Sequence, residues 1–203
     1  MIDDVMRRAK DVVLEPVAKI IGENISPMTI TLTAGGVGLL AALAAWQGNY
    51  MLGLIFWIGN RFLDGLDGAV ARASGKQSDF GGYIDTLVDF GIYTIIPFGL
   101  AMHEPHTGQL IVLAFLFGTF YINAAAFLYL SAILERRNQG AKQSGELTSV
   151  TMPRGIIEGT EAIVIFCLFF LLPNHLTILF GILGTLVVAT TFQHIIWSMR
   201  NLN

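Results

Sequence analysis

Residues 109–135 read QLIVLAFLFGTFYINAAAFLYLSAILE, and the only charged residue in this run is Glu135 at its end. A helix needs about 20 apolar residues to cross the hydrocarbon of a bilayer, so this run is long enough to span a membrane. Further apolar runs of comparable length lie at 29–47, 50–72, 81–102, 151–172 and 175–199. The sequence therefore predicts an all-α integral membrane bundle of six transmembrane helices.

The composition agrees with a membrane protein. Hydrophobic residues make up 54% of the 203 residues and charged residues 13%, with a mean hydropathy of +0.63. A soluble domain has about twice that share of charged residues. The net charge of −3 does not favour a nucleic-acid partner. The single cysteine, Cys167, allows no internal disulfide.

Residues 1–24 have a different pattern. They contain both signs of charge and no long apolar core, and their apolar residues recur at helical spacing. This pattern is typical of an amphipathic helix that lies in the membrane interface and contacts lipid headgroups. The chain is thus predicted to consist of a juxtamembrane helix at 1–24 and a six-helix domain at 25–203.

Basic residues outside the predicted spans occur only at the termini and in alternate connections of the predicted bundle. The connections at 47–50, 102–108 and 172–175 contain no Lys or Arg. The basic residues of the termini and the other connections are Arg7, Arg8, Lys10, Lys19, Arg72, Lys76, Arg136, Arg137, Lys142 and Arg200. Basic connections stay in the cytoplasm, so both termini are predicted to be cytoplasmic. We expect a multi-pass protein of the cell inner membrane.

Four carboxylates lie inside the predicted spans, near the cytoplasmic ends of the second and third. Asp64 and Asp67 are three residues apart, and Asp85 and Asp89 are four apart, so each pair shares one helix face. A short connection predicts that the two helices are neighbours, with all four carboxylates at similar depth. An ionised residue within a membrane costs about 2.5–3.5 kcal/mol at the helix centre and less near the ends.

The nearby basic residues Arg61 and Arg72 do not neutralise four negative charges. Carboxylate oxygens are the ligands that hard divalent cations such as Mg²⁺, Mn²⁺ and Ca²⁺ prefer. Four carboxylates match two divalent ions in charge, and paired metal ions are a known arrangement for displacement at phosphorus. The four residues are therefore predicted to hold two divalent ions, Mg²⁺ or Mn²⁺, on the cytoplasmic side.

The spacing of this region also resembles a known family signature. Residues 64–89 match D-x2-D-G-x2-A-R-x8-G-x3-D-x3-D at all eight fixed positions. This is the signature of the CDP-alcohol phosphotransferase family, also called CDP-alcohol phosphatidyltransferases. The resemblance implies that Asp64, Asp67 and Asp85 are metal ligands and that Asp89 is both a ligand and the general base. It also implies a homodimer.

The same resemblance implies a site for the donor nucleotide, to which Asp64 also contributes. Arg72 corresponds to the family arginine and would support the diphosphate or an aspartate ligand; alternatively, it is only a positive-inside anchor. Upstream, Pro27 and Thr31 fit an element of the donor site, whereas Met28 replaces its usual polar residue. The small positions that pack against the cytidine correspond to Gly68, Ala71 and Gly81.

The acceptor alcohol is less constrained by the sequence. The fifth apolar run begins PRGIIEGTE around Arg154, and the sixth contains His194. Arg154 would suit a phosphorylated acceptor, whereas Glu158 and Glu161 would suit an acceptor with several hydroxyls or an amine. We expect these four residues to contact the acceptor. Alternatively, the two glutamates pair with Arg154 and Arg61.

The expected reaction is transfer of a phosphatidyl group from a CDP-linked donor, CDP-diacylglycerol, to a small alcohol with release of CMP. One alternative within the family is a CDP-amino-alcohol or CDP-polyol donor with a diacylglycerol or soluble acceptor. An alternative of another class is a cation or proton transporter, because intramembrane aspartates also mark ion pathways.

Overall fold

The computed structural model describes Leu14 and residues 16–21, 25–139 and 155–202 of the chain. In this part the chain is helical, with no strand. The main helices are α1 (Pro27–Trp46), α2 (Tyr50–Ala73), α3 (Asp79–His103), α4 (Thr107–Arg136), α5 (Gly159–Leu171) and α6 (Leu176–Asn201), with a 3₁₀ turn at Pro173–His175 before α6. The prediction of an all-α protein is confirmed.

The helix boundaries follow from local capping chemistry. Ser26 accepts a hydrogen bond from the backbone N–H of Thr29 at the start of α1, and Ser78 accepts one from Gly81 at the start of α3. Such side-chain acceptors satisfy backbone donors that have no partner inside the helix. Gly48 has a φ of +76°, a left-handed conformation that favours glycine and lets the chain turn sharply from α1 into α2.

Within the described ranges, four elements are long and apolar enough to cross a membrane: Pro27–Trp46, Asp79–His103, Thr107–Arg136 and Pro173–Asn201. Helix α2 has 24 residues and carries the arginines and aspartates noted above. Helix α5 has only 13 residues. The predicted count of six membrane spans therefore stays a prediction, although six helices occur where six apolar runs were expected.

The fifth run differs from its predicted range of 151–172. Residues 155–158 are not helical, and α5 begins at Gly159. The carboxylate of Glu158 accepts from the backbone N–H of Gly155, and the backbone N–H of Glu158 donates to Glu161. These local bonds compete with helix formation and fix the helix start, which apolar content alone does not reveal. The predicted start at 151 lies outside the described residues.

Helix α1 packs closely against both α2 and α3. An added Cβ at Gly38 would lie 2.4 Å from Cδ1 of Ile92 on α3, and one at Gly53 on α2 would lie 2.5 Å from Phe170. At Gly99 on α3, a Cβ would lie 2.4 Å from the backbone oxygen of Ala42 on α1. Small residues thus let the helix backbones approach one another, as is common in membrane bundles.

The juxtamembrane segment is described only in part. Residues 16–21 are helical, and Leu14 and Ala18 are buried in a cluster that includes Leu66 and Val70 of α2. The predicted amphipathic helix at 1–24 stays a prediction, since residues 1–13, 15 and 22–24 lie outside the described part. Its described residues contact the same end of α2 that carries Asp64 and Asp67.

Candidate active site

The predicted carboxylates lie at one end of the bundle. Asp64 and Asp67 lie in the second half of α2, and Asp85 and Asp89 lie in the first half of α3. The backbones of α2 and α3 both pack against α1 more than against each other. The expectation that these two helices are direct neighbours is therefore wrong in part, because they meet mainly through long side chains that reach across the space beside α1.

Arg61 of α2 makes the main polar contact across this space. Its Nη2 donates to Oδ1 of Asp89 on α3 at 2.7 Å, and its Nη1 lies 3.7 Å from Oδ2 of Asp64. The Arg61 side chain is 8% exposed, whereas those of Asp64 and Asp89 are 22% and 32% exposed. The guanidinium therefore lies deeper in the bundle than the two carboxylates that it contacts.

The Arg61 guanidinium is also held from behind. Its Nε donates to the side-chain oxygen of Asn60 at 2.8 Å, and the Asn60 amide donates to the backbone oxygen of Ala34 on α1 at 2.8 Å. The guanidinium carbon lies 4.7 Å from the centre of the Trp57 ring and 5.2 Å from that of Tyr93. Cation–π contacts and a planar hydrogen-bonded group restrict the arginine to one position.

Asp67 contacts α1 rather than α3. It is buried, and its Oδ2 accepts a hydrogen bond of 2.5 Å from the hydroxyl of Thr31. The Thr31 oxygen also lies 3.1 Å from the backbone oxygen of Pro27, one helical turn earlier. Thr31, which the resemblance assigned to the donor site, is therefore placed to orient a predicted metal ligand. Whether it also touches the donor stays a prediction.

Replacing Thr31 by valine should lower the activity by about tenfold or more, because groups that orient a metal ligand typically contribute that much. Valine keeps the shape of threonine but cannot donate to Asp67. The measurement is the rate of CMP release as a function of Mn²⁺ concentration. Thr33→Val is the matched control, because Thr33 lies on the same helix, is exposed and bonds only the backbone of Thr29. Equal loss in both variants would contradict this role.

The remaining predicted donor residues surround the same helix ends. An added Cβ at Gly68 would lie 3.3 Å from Nη1 of Arg72, so the arginine folds back over the backbone of its own helix. At Gly81, a Cβ would lie 3.1 Å from Oγ of Ser78. Ala71 is half-buried, and Pro27 begins α1. These positions leave little side-chain bulk near the carboxylates, and their contacts with a nucleotide stay predictions.

The donor set fits hard divalent cations in its chemistry, because its members are all carboxylates and one of them is oriented by a hydroxyl. Among the residues that the structure describes, no three carboxylate, histidine or cysteine side chains lie close enough together to hold one ion. Instead, the guanidinium of Arg61 contacts Asp64 and Asp89. These contacts place one positive charge beside two of the predicted ligands.

The predicted acceptor residues are less closely grouped. Glu158 and Glu161 form local hydrogen bonds at the start of α5, so the alternative that Arg61 neutralises them is wrong: Arg61 contacts Asp64 and Asp89. His194 is buried on α6. Arg154 lies outside the described residues. Contacts of these four residues with an acceptor stay predictions.

The sequence reasoning missed the residues that hold Arg61. Trp57, Asn60 and Tyr93 lie within the predicted apolar runs, yet they surround the guanidinium. One signal was available: Asn60 and Arg61 are adjacent polar residues within an apolar run, and Arg61 precedes Asp64 by three residues. The contribution of Tyr93 could not be read from spacing, since it lies on another helix.

The chain is similar in sequence to a known family and to several known proteins. Residues 24–193 match the family described as CDP-alcohol phosphatidyltransferase. Inner membrane protein YnjF of Escherichia coli is 33% identical over 175 residues, which cover 86% of this chain and 83% of that protein. Archaetidylinositol phosphate synthase of Pyrococcus horikoshii is 40% identical over 91 residues, which cover 44% of this chain and 48% of that protein.

Two solved structures share the fold. Phosphatidylinositol phosphate synthase of Mycobacterium tuberculosis with CDP-DAG bound has a TM-score of 0.69 at 20% identity, covering 90% of this chain and 92% of that chain. The same synthase in complex with manganese and citrate has a TM-score of 0.68 at 20% identity, covering 90% and 87%. At this identity, the two structures establish the fold and no more.

The apolar helices and the inner membrane relative make this chain a multi-pass membrane protein. It belongs to the CDP-alcohol phosphatidyltransferase family and is a transferase of substituted phosphate groups. The family resemblance read from residues 64–89 is thereby confirmed.

Proposed function

We propose that the protein transfers a phosphatidyl group from CDP-diacylglycerol to a small alcohol, with release of CMP. The observation that carries the proposal is the placement of all eight signature residues at one end of α2 and α3. The bound CDP-DAG of the mycobacterial synthase, which shares the fold, supports the choice of donor. Membership of the family supports the reaction class.

The proposed chemistry is an in-line displacement at the phosphorus distal to the cytidine. Asp89 accepts the proton of the acceptor hydroxyl, and the oxygen forms a bond to that phosphorus. The bond from the same phosphorus to the bridging oxygen breaks, and CMP leaves with the electron pair. When bound, two divalent ions at Asp64, Asp67, Asp85 and Asp89 would neutralise the diphosphate and the charge on the departing CMP.

The acceptor is proposed to be a small, water-soluble alcohol. Two similar proteins are named as synthases of inositol phosphate lipids, so a phosphorylated inositol is a suitable first candidate. A phosphorylated acceptor needs a cationic pocket. Arg154, together with Arg136, Arg137 or Arg200, is the proposed source of that charge. Because Glu158 and Glu161 are engaged in the turn before α5, they offer less repulsion to a phosphate than two free carboxylates would.

The proposed orientation has both termini and the carboxylate site on the cytoplasmic side. Arg137 at the end of α4 donates to the backbone oxygen of Leu202 after α6 at 2.7 Å, so these two basic helix ends lie together. Positive residues favour the cytoplasm. A location in the cell inner membrane is consistent with the name of the Escherichia coli relative. A homodimer is part of the proposal on family resemblance alone.

The test is CMP release from cytidine-labelled CDP-diacylglycerol by the purified protein in detergent. The panel of acceptors contains inositol phosphate, glycerol 3-phosphate, inositol, serine and ethanolamine, and product masses identify the lipid formed. We expect release with one acceptor class, in Mn²⁺ or Mg²⁺, and its loss when the ions are chelated. Matched control reactions omit the acceptor or supply CDP-choline with diacylglycerol.

The outcomes separate the competing functions. Transfer from CDP-choline to diacylglycerol, without use of CDP-diacylglycerol, would favour the alternative in which a CDP-amino-alcohol is the donor and diacylglycerol is the acceptor. Absence of CMP release from every donor, together with cation or proton flux in reconstituted vesicles, would contradict the enzyme and favour a transporter. CMP release that persists in a chelator would contradict the proposed role of the divalent ions.

A further inference from the structure

The charge of the carboxylate site includes one arginine that does not belong to the signature. Arg61 contacts Asp64 and Asp89, whose side chains are 22% and 32% exposed. It is 8% exposed and has Asn60 and the rings of Trp57 and Tyr93 around it. A group held on so many sides does not swing away as a surface arginine does, so its charge stays in the site.

We propose that Arg61 is a positioning residue that acts as a fixed counter-charge: it holds Asp64 and Asp89 at the same opening, and it weakens divalent-ion binding until the anionic donor arrives. The proposal rests on the proposed function above, since it assumes that ions and a diphosphate bind at these aspartates. It goes beyond that function by assigning a role to a residue outside the signature.

The net charge of the site favours ion binding together with the donor. Four ionised carboxylates together with Arg61 and Arg72 give the site a formal net charge of −2. One divalent ion neutralises this charge, and a second would leave the site at +2. The donor diphosphate brings negative charge that offsets the second ion. Ion binding should therefore be stronger with the donor than without it.

Arg61 also joins the two helices that carry the aspartates. The hydrogen bond of 2.7 Å to Asp89 crosses from α2 to α3, and the contact with Asp64 lies within α2. Both aspartates are more exposed than the arginine, so Arg61 contacts them from the buried side of the site. Without the arginine, the mutual repulsion of the carboxylates would drive Asp89 away from α2.

Two opposite effects on ion affinity have to be compared. Loss of orientation weakens metal binding by about 10- to 100-fold in typical sites. Removal of a unit positive charge a few ångströms from a divalent ion strengthens binding, and at an effective dielectric constant of about 20 this Coulomb effect is the larger one. Loss of Arg61 should therefore tighten ion binding while it slows turnover, a combination that simple damage to the fold does not produce.

The test compares Arg61→Gln, Arg61→Lys and the wild-type protein. Mn²⁺ binding is measured by electron paramagnetic resonance on purified protein, with and without CDP, and kcat is measured separately from CMP release. We expect Arg61→Gln to bind Mn²⁺ about tenfold or more tightly without CDP, to lose most of the CDP-dependent gain in affinity, and to have a lower kcat. Arg61→Lys keeps the charge, so Mn²⁺ affinity should stay within about threefold while kcat falls.

Lys76→Gln is the matched control, because it removes one positive charge from the exposed connection between α2 and α3. Its Mn²⁺ affinity and kcat should stay close to those of the wild type. Weaker or unchanged Mn²⁺ binding in Arg61→Gln would overturn the inference while leaving the proposed function in place. If Arg61→Gln does not fold, a change of tenfold or more in the Mn²⁺ affinity of Arg61→Lys overturns it. A wild-type protein that binds no Mn²⁺ overturns the inference together with the proposed ion site.

Discussion

Asp89→Asn should lower kcat for CMP release by about 10²- to 10⁴-fold, the usual contribution of a general base. Asparagine has the same shape as aspartate but accepts no proton at neutral pH. It would also keep an oxygen for the hydrogen bond from Arg61, so the contact between α2 and α3 should survive. We expect donor binding, measured with labelled CDP-diacylglycerol, to fall much less than kcat does.

Asp79→Asn is the matched control for this change. Asp79 lies on the same helix, in the first turn of α3, and is exposed. The same chemical substitution there should leave kcat within about twofold, because a surface carboxylate contributes little. An Asp89→Asn protein with a kcat near that of the wild type would remove Asp89 from the role of base.

Gly99→Ala should lower the stability of the folded protein by about 1–3 kcal/mol, a factor of about 5–150 in the folding equilibrium. The added methyl would lie 2.4 Å from the backbone oxygen of Ala42 and 3.2 Å from its carbonyl carbon. Backbone atoms cannot rotate away as a side chain can, so α1 and α3 would have to separate. The measurement is thermal unfolding in detergent, followed by circular dichroism.

Gly91→Ala is the control for helix propensity. Gly91 lies on the same helix, and an added Cβ there would meet no atom within 4 Å. Alanine is favoured over glycine in helices by about 0.5–1 kcal/mol, so this variant should be as stable as the wild type or more so. The two substitutions are chemically identical, and their effects on the stability of the folded protein should have opposite signs. A fall in stability of the same size in both would show that close approach of α1 to α3 is not the cause.

The apolar runs predicted the helices because side-chain hydropathy is local. The predicted run at 50–72 agrees with α2 at Tyr50–Ala73 to within one residue. The predicted run at 109–135 agrees with α4 at Thr107–Arg136 to within two residues. The fifth helix begins at Gly159, inside the predicted run, because the bonds of Glu158 and Glu161 to nearby backbone decide that start. Two glutamates three residues apart look the same in sequence whether they cap a helix or face a ligand.

The candidate site was predictable in its residue types and less so in its arrangement. Signature spacing located the aspartates on two helix ends, and family membership confirms that reading of the signature. Spacing could not reveal that α1 packs against both helices, because that depends on Gly38 and Gly99 meeting residues of distant segments. For the same reason, the surroundings of Arg61 became visible only when Tyr93 was placed beside it.

The shortness of α5 has a consequence for the backbone that precedes it. Its 13 residues make a rod about 20 Å long, whereas the hydrocarbon layer is about 30 Å thick. If α5 lies across the bilayer, the remaining depth falls to the turn at residues 155–158, where Thr190 accepts a hydrogen bond from the backbone of Ile157. Irregular backbone at that depth is tolerated only against protein or water. The bond to Thr190 supplies such a protein partner, so α6 anchors the described backbone that leads into the short helix.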